Sequence, residues 1–582
     1  MHVRITAMAL LALSPGCGWA ADLYLVNGKI FTGVGEPAAQ ALAIQGGKIA
    51  AVGENGAIRA MARDKAAVID LGGRLVTPGL IEAHGHAGSA APTRQAAMPN
   101  LPWPGPTPEE AIAAITAAAR QGPGWVSGEI GPLAINDQRD WRAIQGVQIE
   151  GRCSEIINPI ESARALTVYA SKYPFIPVML QVWWGHGTLL NSAALKALGV
   201  EDTAGDPLGG WFGRRADGSL DGRVRENAEW RLMRARDAAQ PPQAFAARYS
   251  ATAALYAGWG VTTYHQMLNN QALPDALAAL KISRPTIKWR LYGWAMPDRQ
   301  IADAWDQFDA PLAPVDRVRA AGIKWVLDAT PIERDAHMSA PYADRPGWSG
   351  RSNYTDDQLH ALLAGILAHP GQQAALHVVG DAELARLMDA MEAAAPPATW
   401  VQRRVRVEHG DGLTAGRFEQ VRRLGMVVVQ NPLHLNPMPD ERGVPMMSAR
   451  LGSRAPAFLP LKSLLAAGVP LALGSDAGGP PANPFLNIML AVIHPTAPGE
   501  ALDREQALAA YTSGGAFAER AELEKGRIAV GMAADLAVLS QDILVVPLDA
   551  LPATRSLLTL VDGEVAHADA PFTILKPALS AP

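Results

Sequence analysis

Eight short apolar segments separated by helical stretches predict an α/β chain organised around a TIM (β/α)8 barrel. Two further observations complete the fold class. Both ends of the chain alternate apolar and polar residues around tight turns, which predicts a small β-sandwich built from both chain ends. A gap of about 170 residues after the first barrel segment far exceeds a βα loop, which predicts a large insertion after barrel strand 1.

From the N-terminus, MHVR is a short basic start, ITAMALLALSPG is apolar, and small residues follow near Ala20 and Ala21. This is the pattern of a secretory signal peptide over residues 1–21, too short to span a bilayer. A secreted or periplasmic protein is expected. Cys17 lies inside that segment, but Ser14, Pro15 and Gly16 before it lack the leucine of a lipoprotein signal, so lipid anchoring is the less favoured reading. Without the segment Cys153 is the one remaining thiol, and no internal disulfide is expected. DLYLVNGKIFTG and ALAIQGGKIAAVG read as β-hairpins turning at Asn-Gly and Gly-Gly. Neither has enough residues for a core of its own. KGRIAVGMAADLAVLS and LLTLVDGEVAHA, near the other end, carry the same pattern, so residues 22–77 plus 523–572 are assigned to one sandwich.

Residues 78–522 are assigned to the barrel. Its strands are expected in LVTPGLIEAHGH, GVTTYHQM, TIKWRLYGWA, AGIKWVLDA, QAALHVV, RVRVEHG, GMVVVQN and PLALGSDA, with helices such as DDQLHALLAGILAH and AELARLMDAMEAAA between them. The insertion, residues 87–257, holds seven of the 15 tryptophans: Trp103, Trp125, Trp141, Trp183, Trp184, Trp211 and Trp230. It reads as a cap over the barrel mouth that shapes a substrate pocket. A separately folded decoration with a Trp-rich core is the alternative, because tryptophans are mostly packing residues.

Six candidate metal ligands fall toward the C-terminal ends of barrel strands, the face where such barrels place their chemistry: His84, His86, Lys324, His377, His409 and Asp476. His84 and His86 form an HxH pair. Side chains on a strand alternate with period 2, so both rings point to one face and can grip one divalent cation. His265 on strand two is expected in the packed core. Glu408 precedes His409 and should point the opposite way, as a structural residue.

In this order, HxH, Lys, His, His, Asp, the chain resembles the amidohydrolase superfamily. PGLIEAHGH, GHGTLLNSAALKALGV, GIKWVLDA, LHVVGDAEL, RVEHGDGL, VVVQNPLH, LLAAGVPLALGSDA and GMAADLAVL resemble blocks of its YtcJ-like branch, which includes N-substituted formamide deformylases. The resemblance covers nearly the whole mature chain. It implies a barrel with a β-sandwich and hydrolysis of the zinc type, with one or two ions. His84, His86 and Asp476 would hold the more buried cation, and His377 and His409 the second. An ammonium cannot ligate a metal. The resemblance therefore implies N6-carboxylation of Lys324, giving a bridging carbamate; the alternative is a salt bridge from Lys324 to Asp328. Asp476 would take a proton from the attacking water and pass it to the leaving nitrogen. His186, in the insertion, would bind the substrate carbonyl oxygen, or else tie the insertion together; Trp183 and Trp184 would wall the pocket. Asp381 and His434 are weaker candidates for supporting roles. Three departures from the branch lie near the expected pocket: Trp184 where an acidic residue precedes Gly-His, Ala329 after Asp328 in place of glycine, and Asn431 inserted after Gln430.

Composition limits the function classes. Hydrophobic residues at 49% and charged residues at 18% describe an ordinary globule, and a net charge of -5 offers no basic footprint for nucleic acid or an anionic membrane. The expected partner is a small-molecule substrate, with a homo-oligomer left open. The sequence thus points to a metal-dependent amidohydrolase that uses metal-activated hydroxide on a non-peptide C–N bond. The alternatives are an esterase or lactonase on the same scaffold, or an inactive small-molecule-binding protein.

Overall fold

The eight apolar segments form eight parallel strands of one sheet: β1 (Leu80–Gly85), β2 (Val261–Leu268), β3 (Lys288–Trp294), β4 (Val318–Val326), β5 (Gln373–Val378), β6 (Arg406–His409), β7 (Val427–Gln430) and β8 (Leu471–Leu473). Each strand pairs with the next in chain order. The sheet curls back on itself, and the Asp476 amide, just past β8, donates to the His84 carbonyl on β1 at 2.9 Å. This is the expected TIM barrel. The computed structural model describes residues 23–573, apart from 63–66, 87–92, 102–104, 123, 132–175, 183, 306–314, 437 and 441. The expected signal segment, Cys17, Cys153, Trp103, Trp141 and Trp183 lie outside the described residues.

Helices pack on the outer face of the barrel because one face of each strand is apolar. Val378, Val407 and Val428 join Leu359, Leu363 and Leu384 from the helices in one buried cluster. The helix Asp356–Ala368 starts at a capping box, in which Thr355 accepts from the Gln358 amide and Gln358 reaches back. The inner face is strongly polar instead, with Arg406, Glu408, His265 and Gln373 all buried there.

Two sheets form the sandwich. One has four strands in the order Lys48–Gly53, Ala41–Gln45, Leu23–Val26, Ala67–Asp70; the other has five, Lys29–Ile30, Leu75–Pro78, Leu536–Leu539, Ser556–Val561, Glu564–Ala568. Leu25, Leu42, Ile44 and Val76 from one chain end share a core with Leu536, Val538, Leu558 and Leu560 from the other. Two of the expected hairpins do not form: KGRIAVGMAADLAVLS yields the single strand Leu536–Leu539, and the first hairpin is lost as well. Leu23–Val26 and Lys29–Ile30 belong to different sheets. A two-residue hairpin turn of the Asn-Gly kind needs positive φ at both residues. Asn27 has φ 57° but Gly28 is not in that region, so the chain crosses from one sheet to the other there. At Gly46-Gly47 and Asp562-Gly563 both residues do have positive φ, and both of those hairpins form.

The described part of the insertion combines helices with a six-stranded sheet in the order Gly210–Arg214, Leu220–Glu226, Thr188–Leu190, Val178–Val182, Val126–Ile130, Arg94–Gln95. Met179 and Leu190 of this sheet, with Trp230 of the helix Asn227–Asp237, pack against Met267, Tyr292, Trp294 and Val326 of the barrel strands. The helix Pro242–Gly258 packs differently, burying Phe245, Tyr249 and Tyr256 against Leu80 and Val261. No helix among the described residues is long and apolar enough to cross a membrane.

Candidate metal centre

A bulge in β1 delivers the first histidine. Glu82 pairs with Tyr264 and Gly85 with Gln266, so β1 takes three steps where β2 takes two. The extra residue reverses the alternation of side chains. Glu82 stays on the helix side, close to Tyr256 and Tyr511, where burial raises its carboxyl to about 8. His84 turns into the barrel, and its Nδ1 meets Glu408 Oε2 at 2.5 Å. His86 follows the end of β1, with Nδ1 donating to the Met267 carbonyl at 3.1 Å. A carbonyl or carboxylate oxygen only accepts here, so Nδ1 carries the proton in both rings and Nε2 keeps its lone pair.

Asp476 sits among these lone pairs. Its Oδ1 lies 3.1 Å from His86 Nε2 and 3.3 Å from His84 Nε2. Its Oδ2 lies 3.5 Å from His434 Nε2 and 3.8 Å from His409 Nδ1. His409 ends β6 after inward-facing Glu408, so alternation alone would turn its ring outward. A left-handed backbone, φ 72°, brings the ring back to 4.9 Å from His84 and 4.3 Å from His377. Asn431 Oδ1 holds His409 Nδ1 at 2.8 Å. The inserted asparagine is therefore part of the site.

Lys324, on β4, places Nζ 3.4 Å from His84 Nε2 and 5.4 Å from the Trp294 ring. The salt bridge to Asp328 does not exist. Asp328 instead accepts the amides of Val379, Gly380 and His337 at 2.9, 2.8 and 3.0 Å, which fixes the turn after β5. His377, opposite Glu408 in the ladder, is buried, and its Nε2 has no hydrogen-bond partner among the described residues.

Electrostatics suit ligation. Burial lowers the pKa of His86, and holds His377 and His409 well below the usual histidine range, so all three rings stay neutral. Burial also lowers Lys324 to about 8. Burial would raise Asp476, but the imidazoles of His84, His434 and His86 around it hold it well below the carboxylate range. Donor atoms of His84, His409 and Asp476 lie within 4.8 Å of one another. Neutral imidazoles with their second nitrogens tied, an ionised carboxylate and the unpartnered nitrogen of His377 form a donor set that fits a divalent cation. All six sequence-predicted ligands thus come to one place.

His186 sits at the tip of a tight turn between Gly185, φ 87°, and Gly187, φ 146°. Its ring lies 4.8 Å from His377 and 5.8 Å from Trp230. Nδ1 pairs with Glu226 Oε1 at 2.8 Å. Burial opposes its charge, but Glu226, with Glu333 and Glu229, lifts the imidazole to about 9. His186, Glu226 and Glu333 also lie within 4.8 Å as donors. They are already satisfied, however: Glu333 accepts from the Thr330 amide and hydroxyl at 2.7 and 2.6 Å and from Trp184 Nε1 at 2.9 Å. The group is an ion pair rather than a second metal cluster.

Other residues depart from their expected places. Trp184 turns to Glu333, and the aromatic wall beside His86 is Trp294 from β3, at 5.8 Å, backed by Trp230 at 4.5 Å. Asp381 ties down the amide of Ser339 at 2.9 Å and does not reach a ligand. His434 joins the site through Asp476, with Asp411 at 3.1 Å on its other nitrogen. His265 is buried as expected, receiving Arg406 NH1 at 3.0 Å. Glu408 does not point away from the site as expected: it faces into the barrel as the partner of His84, and the left-handed backbone at His409 brings that ring to the same place.

Comparison with known proteins agrees with this geometry. A model of the amidohydrolase family matches residues 67–567. The putative amidohydrolase YtcJ of Bacillus subtilis is 27% identical over 415 residues, 68% of this chain and 75% of its own. The N-substituted formamide deformylase of Arthrobacter pascens is 25% identical over 570 residues, 93% of this chain and 97% of its own. An uncharacterized metal-dependent hydrolase from Pyrococcus horikoshii has the same fold, with a TM-score of 0.65 at 20% identity over 90% of this chain and 99% of that one. With a matched segment spanning barrel and sandwich alike, the chain belongs to the amidohydrolase family, in its YtcJ-like branch.

Proposed function

We propose that this chain is a metal-dependent amidohydrolase that cleaves a non-peptide C–N bond in a small amide, N-substituted formamide or cyclic amide. The observation that carries the reading is the convergence of His84, His86, His409 and Asp476, with the Nδ1 atoms of the three rings held by Glu408, Met267 and Asn431. His84, His86 and Asp476 would hold one divalent cation, zinc being the natural fit to nitrogen and oxygen donors. His377 and His409 would hold a second, with an N6-carboxylated Lys324 as a further ligand; the neutral amine that carboxylation requires is favoured by burial. Bound there, the cation supplies Lewis acidity for activating water and polarising a carbonyl.

The chain's own residues do the rest. Asp476, ionised in the resting site, accepts the proton of the attacking water and delivers it to the departing nitrogen. His186, protonated beside Glu226, donates to the substrate carbonyl oxygen as negative charge develops there. Trp294 and Trp230 offer an apolar wall that suits an aliphatic or aromatic substituent. Residues 1–21 direct the chain out of the cytoplasm.

Elemental analysis of the purified protein, joined to a hydrolysis screen over amides, N-substituted formamides, cyclic amides, esters and lactones, tests the reading. One or two divalent ions per chain and turnover of a C–N substrate are expected. Metal-loaded protein that hydrolyses esters or lactones alone would move the reading to that chemistry, and protein inert toward the whole panel would make it a binding protein.

A further inference from the structure

Inside the barrel, Arg406 and Glu408 do more than neutralise each other. Arg406 Nε donates to Glu408 Oε1 at 2.6 Å and NH2 to Glu408 Oε2 at 3.1 Å. The same NH2 donates to the Ala83 carbonyl at 2.6 Å. NH1 donates to Tyr292 Oη at 2.8 Å and to His265 Nδ1 at 3.0 Å. Every nitrogen of the guanidinium is thus used, and Arg406 and Glu408 are fully buried. One of those bonds grips Ala83, inside the β1 bulge and next to His84. The Glu408 oxygen that Arg406 NH2 shares is the one bound to His84 Nδ1 at 2.5 Å. A single strand, β6, therefore holds both the Ala83 carbonyl just before His84 and the His84 ring.

A purely structural ion pair would need only its two members. Here the third partner is a ring whose other nitrogen faces Asp476 at 3.3 Å and Lys324 at 3.4 Å. His84 also differs from its neighbours in the charge of its partner. His86 leans on a backbone carbonyl and His409 on a neutral amide, whereas His84 leans on a carboxylate. A carboxylate behind an imidazole fixes its tautomer and makes the far nitrogen a better donor.

We infer that Glu408, held in place by Arg406, is a positioning residue that sets His84 as the strongest imidazole donor of the metal centre. This rests on the metal-centre reading proposed above.

Zn2+ affinity, measured by competition with a chromophoric chelator on the folded full chain, tests it. Glu408→Gln should weaken Zn2+ binding on the order of 10–100-fold. The control is Glu519→Gln, at the far end of the same interior charge network, where Glu519 Oε1 lies 3.4 Å from His265 Nε2. It should lower thermal stability yet leave Zn2+ affinity within about twofold of the parent, because it supports no ligand directly. Parental affinity in Glu408→Gln, or equal losses in both variants, would overturn the assignment. If Glu408→Gln does not fold, the double variant Arg406→Met with Glu408→Gln removes both charges together; it should show the same loss, and parental affinity there would overturn the assignment equally. A parent chain with no affinity for Zn2+ overturns the metal centre and this inference together. A parent that binds and a Glu408→Gln variant that binds as tightly overturns this inference alone.

Discussion

Asp476 and His409 both hold left-handed backbone, with φ of 53° and 72°. Such conformations cost on the order of 1–3 kcal/mol each for residues other than glycine, less for Asp, and persist where surroundings over-determine them. Here they aim a carboxylate and an imidazole at the same point. Replacing Asp476 with Ala should lower kcat by about 100- to 10,000-fold, the usual worth of a positioned acid–base group. Steady-state kinetics check this, and near-parental rates would remove the proton shuttle. Lys324→Ala should lose one cation per chain by elemental analysis, with partial recovery of activity on adding a short-chain carboxylic acid. Unchanged metal content would reject the carbamate. At this scale the ligands were legible in the sequence because HxH, Lys, His, His and Asp each end a strand. Asn431 and Glu408 as partners of the histidines were not, since each acts on a ring far along the chain, 22 residues away for Asn431 and 324 for Glu408.

Strands and turns decide where those rings point. Simple alternation from Glu82 would have placed His84 on the same side as Glu82, and the β1 bulge reverses it. Gly85 in LIEAHGH marks the bulge, as a glycine inside a strand often does, but which side chains it turns inward was not readable from the sequence. Closure of the barrel supports it from the other side. The amide of Ser475 donates to Glu82 Oε1 at 2.7 Å, and a Cβ added at Gly474 would lie 2.5 Å from the His84 nitrogen. Gly474→Ala should therefore destabilise the fold by about 1–3 kcal/mol, as overpacking does. It should also weaken Zn2+ binding, because β1 must shift. Thermal melts and chelator competition would show both effects; a melt and an affinity equal to the parent's would mean that the junction is loose. The lost Asn27-Gly28 hairpin teaches a related lesson. The dipeptide marks a turn correctly, but the sheet each flank joins is set by distant partners, Ala41–Gln45 for one and Leu75–Val76 for the other.

Across the molecule, the barrel, the sandwich from both chain ends and the insertion were all legible, since each rests on periodicity and spacing summed over many residues. The polar barrel interior was not, because isolated buried charges leave no periodic trace. That interior makes a prediction about pH. Burial, aided by Arg406 and Lys525 against the pull of Glu519, holds His265 at about 4, below its ordinary 6.5. Its neutral form is matched to the fold, so this contribution to stability is present above pH 6.5 and is lost as pH falls toward 4. The loss is about 3 kcal/mol. His265→Gln should flatten the acid limb of the stability curve measured by denaturant titration, and an unchanged limb would show that other groups dominate it. The central claim is that imidazoles and one carboxylate from opposite ends of the barrel sheet meet around a divalent cation. A crystal structure of the Zn2+-loaded protein with anomalous data at the zinc edge tests it most directly. The account predicts a peak about 2 Å from His84 Nε2, His86 Nε2 and an Asp476 oxygen; density elsewhere, or those side chains turned away from one another, would contradict it.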